Sequence, residues 1–165
     1  MRQPTAVRRR QFLRRAAAGV LIVRPWVVGR GAEPPPSERI HIAAIGAGGQ
    51  DHSGIKGMVA GHEIVALCDA DLSHAAAAIK EHPNARRYTD FRRMYDEMSG
   101  SIDAVLVATT DHTHFPAALW AIRRGKHVHV QKPLTHSMWE ARQLAIEARR
   151  HKVVTKMGNR GQTSE

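Results

Sequence analysis

Short apolar segments alternate with helix-like segments from residue 39 onward, and this alternation restricts the fold more than any other feature of the chain. Five segments have the length and the apolar composition of strands, and the short segment RRY could be a sixth. They lie at residues 39–45, 62–68, 86–88, 103–108, 127–130 and 153–157. Strands separated by helices pair in parallel through right-handed crossovers. We therefore predict an α/β fold with a doubly wound parallel sheet, in the strand order 3-2-1-4-5-6.

Helices are predicted between these strands, at residues 51–60, 71–80, 90–98, 114–124 and 137–151. Asp71 and Thr89 are the predicted N-caps of the second and third helices, because their side-chain oxygens can accept free N–H groups. Gly125 ends the fourth helix. Ser137 and Glu140 form a capping box that starts the fifth helix.

Two glycines, Gly46 and Gly48, follow the first strand where the chain turns towards a predicted helix. Glycine adopts positive φ and allows close backbone approach, and the free N–H groups of a helix start attract phosphate. The spacing matches the first two glycines of the dinucleotide fingerprint, although Asp51 stands where the third is expected. Alone, this motif predicts either a pyrophosphate site or an ordinary tight turn.

Asp69 follows the second strand, 21 residues after Gly48. A carboxylate at this place accepts hydrogen bonds from an adenosine ribose and repels a 2′-phosphate, which favours NAD over NADP as cofactor. The alternative is a helix cap that competes with Asp71.

The basic charge of the chain is concentrated before Ala32. The formal net charge is +10, but eight of the 25 basic residues and none of the 15 acidic ones lie in this segment, which leaves 17 basic residues in the rest of the chain. The body is therefore nearly neutral. With 5% aromatic residues it has no basic stripe carrying base-stacking side chains, so nucleic acid is not an expected partner.

The N-terminal 32 residues have the pattern of a targeting segment. Arg9 and Arg10 with Phe12 and Leu13 precede the short apolar run 16–23, which resembles a twin-arginine export signal. The run is too short for a transmembrane helix. We expect export to the periplasm by the twin-arginine machinery; if the segment is only a disordered basic tail, the protein stays in the cytoplasm. Residues 33–38 read as a stiff, extended Pro-rich linker, and residues 39–165 as a dinucleotide-binding domain.

Further motifs follow the later strands: ATTDHTH at residues 108–114 and GKHVHVQKPL at 125–134. Together with the glycine turn and VALCD at 65–69, they closely resemble the Gfo/Idh/MocA oxidoreductases, named for glucose–fructose oxidoreductase and inositol dehydrogenase. GNRGQ at 158–162 is also similar to the family's segment after the sixth strand. The resemblance covers residues 39–162.

This resemblance implies a catalytic role for Lys132, beside the nicotinamide and the reacting carbon, where it would hold or exchange the substrate hydroxyl proton. Two positions depart from the family pattern: Gln131 replaces a glutamate and Thr110 a proline. The expected cofactor-binding residues are Gly46, Gly48, Gly49, Gln50, Asp69, Thr109, His112, His114, Gln131 and Pro133.

The resemblance also implies an NAD(P)-dependent oxidoreductase that transfers hydride on a sugar, polyol or related small molecule. Relatives carry a second α/β domain that forms the floor of the substrate site, and 165 residues are too few for both domains. We expect cofactor binding with little turnover by this chain, which could also form homo-oligomers. Two alternatives stay open: a non-catalytic NAD(P)-binding module and a truncated, inactive fragment.

The remaining reactive side chains are assigned to structure. Cys68 is the single cysteine and ends an apolar strand, so we predict a buried thiol. The pairs His112 and His114, and His127 and His129, are spaced two residues apart, but no cysteine pair or carboxylate–histidine cluster completes a tetrahedral set. No metal site is predicted, and His112 and His114 are expected to line the ligand crevice.

Overall fold

A computed structural model of the protein describes residues 36–48 and 59–158. Within these ranges six parallel strands form one sheet in the order β3-β2-β1-β4-β5-β6, which confirms the predicted doubly wound topology. The strands are β1 His41–Ile45, β2 Glu63–Cys68, β3 Arg86–Tyr88, β4 Ala104–Val107, β5 His127–Gln131 and β6 Thr155–Gly158.

Helices connect the strands and pack on both faces of the sheet. They are α1 Ala76–Glu81, α2 Phe91–Met98, α3 Asp111–Arg123 and α4 Met138–His151. Among the described residues, no helix is long and apolar enough to cross a membrane.

Several sequence predictions fall on residues outside the described ranges. These are the twin-arginine-like segment, the start of the linker, the glycine-turn residues Gly49 and Gln50, and most of the predicted helix 51–60. The described end of the linker differs from the prediction, because Pro36–Glu38 form a 3-10 turn and not an extended segment.

The two faces of the sheet carry separate cores because successive side chains of a strand point in opposite directions. In β1, Ala43 and Ile45 belong to the larger core, which packs under α2, α3 and α4, whereas Ala44 belongs to the smaller core under α1. Continuous burial on both faces explains the apolar strands of the sequence, as expected of a parallel sheet.

Polar side chains join the helices over the larger core. The hydroxyl of Tyr95 on α2 donates to the carbonyl oxygen of Ala117 on α3 at 3.3 Å. Glu147 on α4 is 8% exposed and accepts a hydrogen bond of 3.0 Å from Arg123 on α3. The Arg123 guanidinium holds the pKa of Glu147 below its usual range, so this ion pair is formed at neutral pH.

The predicted starts of α1 and α2 are wrong by a few residues. Asp71 caps a turn, accepting the N–H of Ser73 at 2.8 Å, but the α-helix begins only at Ala76. Asp90, not Thr89, is the N-cap of α2: its backbone is extended and its carboxylate accepts the N–H of Arg92 at 2.9 Å. The last extended residue provides the cap, and here that residue is the aspartate.

α3 begins at Asp111, three residues before the predicted start at His114. Thr110 is extended, and a negative side chain in the first turn suits the positive end of the helix dipole. This earlier start places His114 on the second turn of the helix. Gly125 follows α3 with φ 72°, as predicted for a residue that ends a helix.

The predicted capping box starts α4. The hydroxyl of Ser137 accepts the N–H of Glu140 at 3.3 Å, and the carboxylate of Glu140 accepts the N–H of Ser137 at 3.1 Å. We expect Ser137→Ala to lower the free energy of unfolding by about 1 kcal/mol, since one helix-end N–H loses its acceptor. Urea denaturation measures the change. Ser101→Ala, at an exposed serine, is the matched control; equal midpoints for both variants would contradict the capping role.

Candidate functional site

A cavity of about 660 Å³ opens at the carboxyl-terminal edge of the sheet, beside the point where strand order reverses between β1 and β4. This is where open α/β sheets bind their ligands. The cavity brings together five of the residues predicted from sequence, namely Gly46, Asp69, Thr109, Gln131 and Lys132.

Gly46 lets the first turn pass close to the neighbouring strand. Its N–H donates to the carbonyl oxygen of Cys68 at 2.8 Å, and its φ is 82°. A Cβ at this position would collide with the carbonyl oxygen of Ala108. Only glycine fits both the dihedral angle and the contact, so this position supplies an open stretch of backbone to the cavity.

Asp69 is tied to the glycine turn. One carboxylate oxygen accepts the N–H of Gly48 at 2.8 Å and the other accepts the N–H of Asp71 at 3.1 Å. The side chain is 12% exposed, and Nδ1 of His74 lies 4.0 Å from the oxygen that binds Gly48. A Cβ on Gly48 would collide with the His74 ring, so the second glycine is also required by packing.

The far end of the cavity contains residues that sequence reasoning missed as site residues. The cavity wall here includes four residues that follow β3, namely Thr89, Asp90, Phe91 and Arg92. His74, which lies between β2 and α1, also lines the cavity. Asp90 and Arg92 form a bidentate pair, with Nε of Arg92 2.9 Å from one carboxylate oxygen and Nη2 2.7 Å from the other, and these hydrogen bonds lower the pKa of Asp90. Because these residues directly follow a strand, the rule that located Asp69 could have found them.

The turns after β4 and β5 form the other end. The hydroxyl oxygens of Thr109 and Thr113 lie 2.7 Å apart. Thr113 is in the first turn of α3 and also lines the cavity. The side-chain oxygen of Gln131 accepts the N–H of Lys132 at 2.9 Å. Glutamine therefore keeps the acceptor that a glutamate would supply here, without its charge. The Lys132 side chain is exposed and free to reach into the cavity.

The structure does not place the predicted histidines on the cavity wall. His112 is exposed in the first turn of α3, and its Nε2 lies 3.4 Å from the Thr110 hydroxyl. His114 is only 1% exposed, with Nδ1 2.6 Å from the carbonyl oxygen of Pro133 and Nε2 2.9 Å from that of Thr109. Neither residue lines this cavity. For His114 the reason is the early start of α3, which turns its ring under the two loops.

Pro133 is exposed and follows a cis peptide bond; it contributes its carbonyl oxygen to His114 and is absent from the residues that line the cavity. Two predicted cofactor-binding residues, Gly49 and Gln50, lie outside the described ranges. The described site therefore consists of a glycine turn, the Asp69 carboxylate, the Asp90–Arg92 pair, a hydroxyl pair and an exposed lysine, placed along the sheet edge from β3 to β5. Such an arrangement fits a ligand with a phosphate-rich middle and a polar group at each end.

Glycine substitutions separate backbone strain from close packing. Gly100 has open space and no positive φ, Gly125 has open space with φ 72°, and Gly46 has both a positive φ and a collision. We expect Gly100→Ala to change the free energy of unfolding by less than about 1 kcal/mol. Gly125→Ala should lower it by about 1 to 2 kcal/mol, and Gly46→Ala by about 2 to 5 kcal/mol. Urea denaturation ranks them; a Gly46 variant as stable as the Gly100 variant would contradict the turn geometry.

The buried thiol of Cys68 generates a second prediction. The side chain is 3% exposed, as predicted, and burial together with the negative charges of Asp69 and Asp90 raises its pKa to about 12. The thiolate is the reactive form, so at pH 8 the folded protein should resist alkylation and the unfolded protein should react at once. Mass spectrometry after an iodoacetamide pulse, with and without urea, checks this. Rapid modification of the folded chain would show that the site is more open.

Comparisons with known proteins agree with this geometry. Residues 40–159 match the model of the Gfo/Idh/MocA group, described as an oxidoreductase family with an NAD-binding Rossmann fold. Inositol 2-dehydrogenase 2 of Saccharopolyspora erythraea is 39% identical over 98 residues, which cover 58% of this chain and 28% of the relative. The 1,5-anhydro-D-fructose reductase of Ensifer adhaerens is 33% identical over 94 residues, 57% of this chain and 28% of that protein. The chain thus spans less than a third of these relatives.

Solved structures show the same fold. GenD2 from gentamicin A biosynthesis, solved in complex with NAD, superposes with a TM-score of 0.64 at 29% identity, over 73% of this chain and 34% of that one. The WlbA dehydrogenase of Bordetella pertussis, solved with NADH and UDP-GlcNAcA, superposes with a TM-score of 0.69 at 20% identity, over 76% and 39%. By the match over residues 40–159, the chain belongs to the Gfo/Idh/MocA oxidoreductase family.

Proposed function

We propose that this chain binds NAD in the cavity at the carboxyl-terminal edge of the sheet and forms the cofactor-binding part of an oxidoreductase. The observation that carries the proposal is the convergence of Gly46, Asp69 and Lys132 on one cavity from three different strands. Family membership and the NAD complex of GenD2 support the choice of cofactor.

The residues assign an orientation to the cofactor. The pyrophosphate would lie over the turn at Gly46 and Gly48, where no Cβ blocks the backbone. Asp69 would accept hydrogen bonds from the 2′ and 3′ hydroxyls of the adenosine ribose. The adenosine would thus lie at the end of the cavity formed by Thr89 and Phe91. The nicotinamide would then lie towards Thr109 and Lys132.

Asp69 also supplies the preference for NAD over NADP. Its carboxylate already accepts the N–H of Gly48, and its negative charge would repel a 2′-phosphate. Among the described residues that line this end of the cavity, Arg92 is paired with Asp90 and does not offset that repulsion. The dinucleotide without the additional phosphate is therefore the better ligand.

Lys132 is the proposed catalytic residue. Bound NAD supplies the hydride acceptor for a carbon that bears a hydroxyl group. Lys132 would hold the hydroxyl oxygen and exchange its proton as the carbon is oxidised. The backbone N–H of Lys132 donates to the side-chain oxygen of Gln131, which holds the start of the lysine side chain at the cavity. A sugar or polyol substrate is proposed from the relatives, which include an inositol dehydrogenase and an anhydrofructose reductase.

A second candidate is a nucleotide-binding module without turnover. The chain covers only 28% of the two relatives named above, so the match does not carry the turnover of the whole relatives over to this chain. Positioning of the reactants provides much of the rate enhancement in such reactions. Tight NAD binding without myo-inositol or anhydrofructose turnover would favour the module; turnover would favour the enzyme.

Calorimetric titrations of the full chain with NADH and with NADPH test the cofactor site. We expect saturable NADH binding that is tighter than NADPH binding. Asp69→Asn keeps an acceptor for the N–H of Gly48 but removes the charge, so NADH should bind about tenfold more weakly and the preference over NADPH should shrink. Asp96→Asn, at an exposed carboxylate on α2, is the matched control. A folded wild-type chain that binds neither nucleotide would remove the basis of the proposal.

A further inference from the structure

His114 joins the two loops at the nicotinamide end of the cavity from below. The ring is 1% exposed, and its two nitrogens lie 2.6 Å from the carbonyl oxygen of Pro133 and 2.9 Å from that of Thr109. Both partners are carbonyl oxygens, which only accept hydrogen bonds. A ring with one N–H satisfies one of these contacts, and a ring with two satisfies both.

The two carbonyl groups belong to separate parts of the sheet edge. Thr109 follows β4 and Pro133 follows β5, and 24 positions of sequence separate them. Pro133 is the residue directly after Lys132, whose own N–H is held by Gln131. A contact at Pro133 therefore fixes the peptide on the far side of the lysine.

We propose that His114 is a positioning residue: its two ring nitrogens bridge the Pro133 and Thr109 carbonyl oxygens, and this bridge sets the separation of the two loops and thereby the place of Lys132 against the nicotinamide. The inference rests on the proposed binding of NAD in this cavity. It gives His114 no contact with the cofactor, since the ring is buried and does not line the cavity.

The geometry distinguishes this role from simple packing. The neighbours of His114 in sequence towards the end of α3, Ala117, Ala118 and Ala121, are fully buried and apolar, and an apolar side chain would fill the same space beneath the loops. The imidazole is needed for its ring nitrogens, which carry the donor. The two contacts are part-buried, so a carbonyl oxygen that loses its donor there has to be hydrated, and without the ring the loops would move apart to admit water. Among the described residues, the hydrogen-bond partners of this ring lie after β4 and β5 and not at the adenosine end.

Titrations with two ligands distinguish effects at the two ends of the cavity. NADH would occupy both ends, whereas ADP-ribose carries the adenosine and pyrophosphate and lacks the nicotinamide. Calorimetric titrations of the full chain are made with wild type, His114→Phe and His114→Asn. Phenylalanine keeps the ring shape without a donor, and asparagine keeps a donor near the Nδ1 position. His41→Phe, at a half-buried histidine that starts β1 at the amino-terminal edge of the sheet, is the matched control.

We expect His114→Phe to bind NADH about tenfold more weakly while its ADP-ribose affinity stays within about twofold of wild type. His114→Asn should recover much of the NADH affinity, and His41→Phe should match wild type for both ligands. Unchanged NADH binding by His114→Phe, or equal losses for the two ligands, would overturn the inference.

If His114→Phe does not fold, His114→Gln takes its place, because glutamine keeps a donor near Nε2 and loses the contact to Pro133. A selective loss of NADH affinity again supports the inference, and equal losses overturn it. A wild-type chain that binds neither ligand instead overturns the proposed function, so the two failures are distinguishable.

Discussion

The close approach of the β1 and β4 chain ends is the constraint on which the rest of the site depends. The N–H of Gly46 donates to the carbonyl oxygen of Cys68 at the end of β2. The N–H of Ala108, after β4, donates to the carbonyl oxygen of Ile45 at the end of β1, at 2.8 Å. These bonds bring three strand ends together where the strand order reverses, with the Ala108 carbonyl oxygen in the space a Cβ on Gly46 would fill. The cavity, its carboxylate and its lysine are arranged around this contact.

Much of the fold could be predicted because its signals are local and repeated. The central strands β1, β2 and β4 are short apolar runs, since both faces of a parallel sheet are covered there, and helices separate the strands. The edge strands β3 and β6 are more polar and more exposed. The order of the strands then follows from right-handed crossovers between parallel strands in a doubly wound sheet. Helix starts were harder to place: Asp71 and Thr89 have capping side chains, but the backbone leaves the extended conformation elsewhere.

The site was predictable to the extent that it depends on strand ends. Gly46, Asp69, Thr109 and Lys132 follow strands, Gln131 is the last residue of β5, and all five line the cavity. The role of His114 could not be read from the chain, because its partner Pro133 is 19 residues away and the contact depends on where α3 begins. The polar motif around His114 therefore predicts contact with a ligand, whereas in the structure the ring contacts backbone carbonyl oxygens beneath the site.

A crystal structure of the full chain soaked with NAD tests the central claim most directly. The account predicts the pyrophosphate over the Gly46 turn, the adenosine ribose within hydrogen-bonding distance of Asp69 and the nicotinamide beside Thr109 and Lys132. A dinucleotide bound in the reverse direction, or at another surface with this cavity empty, would contradict it.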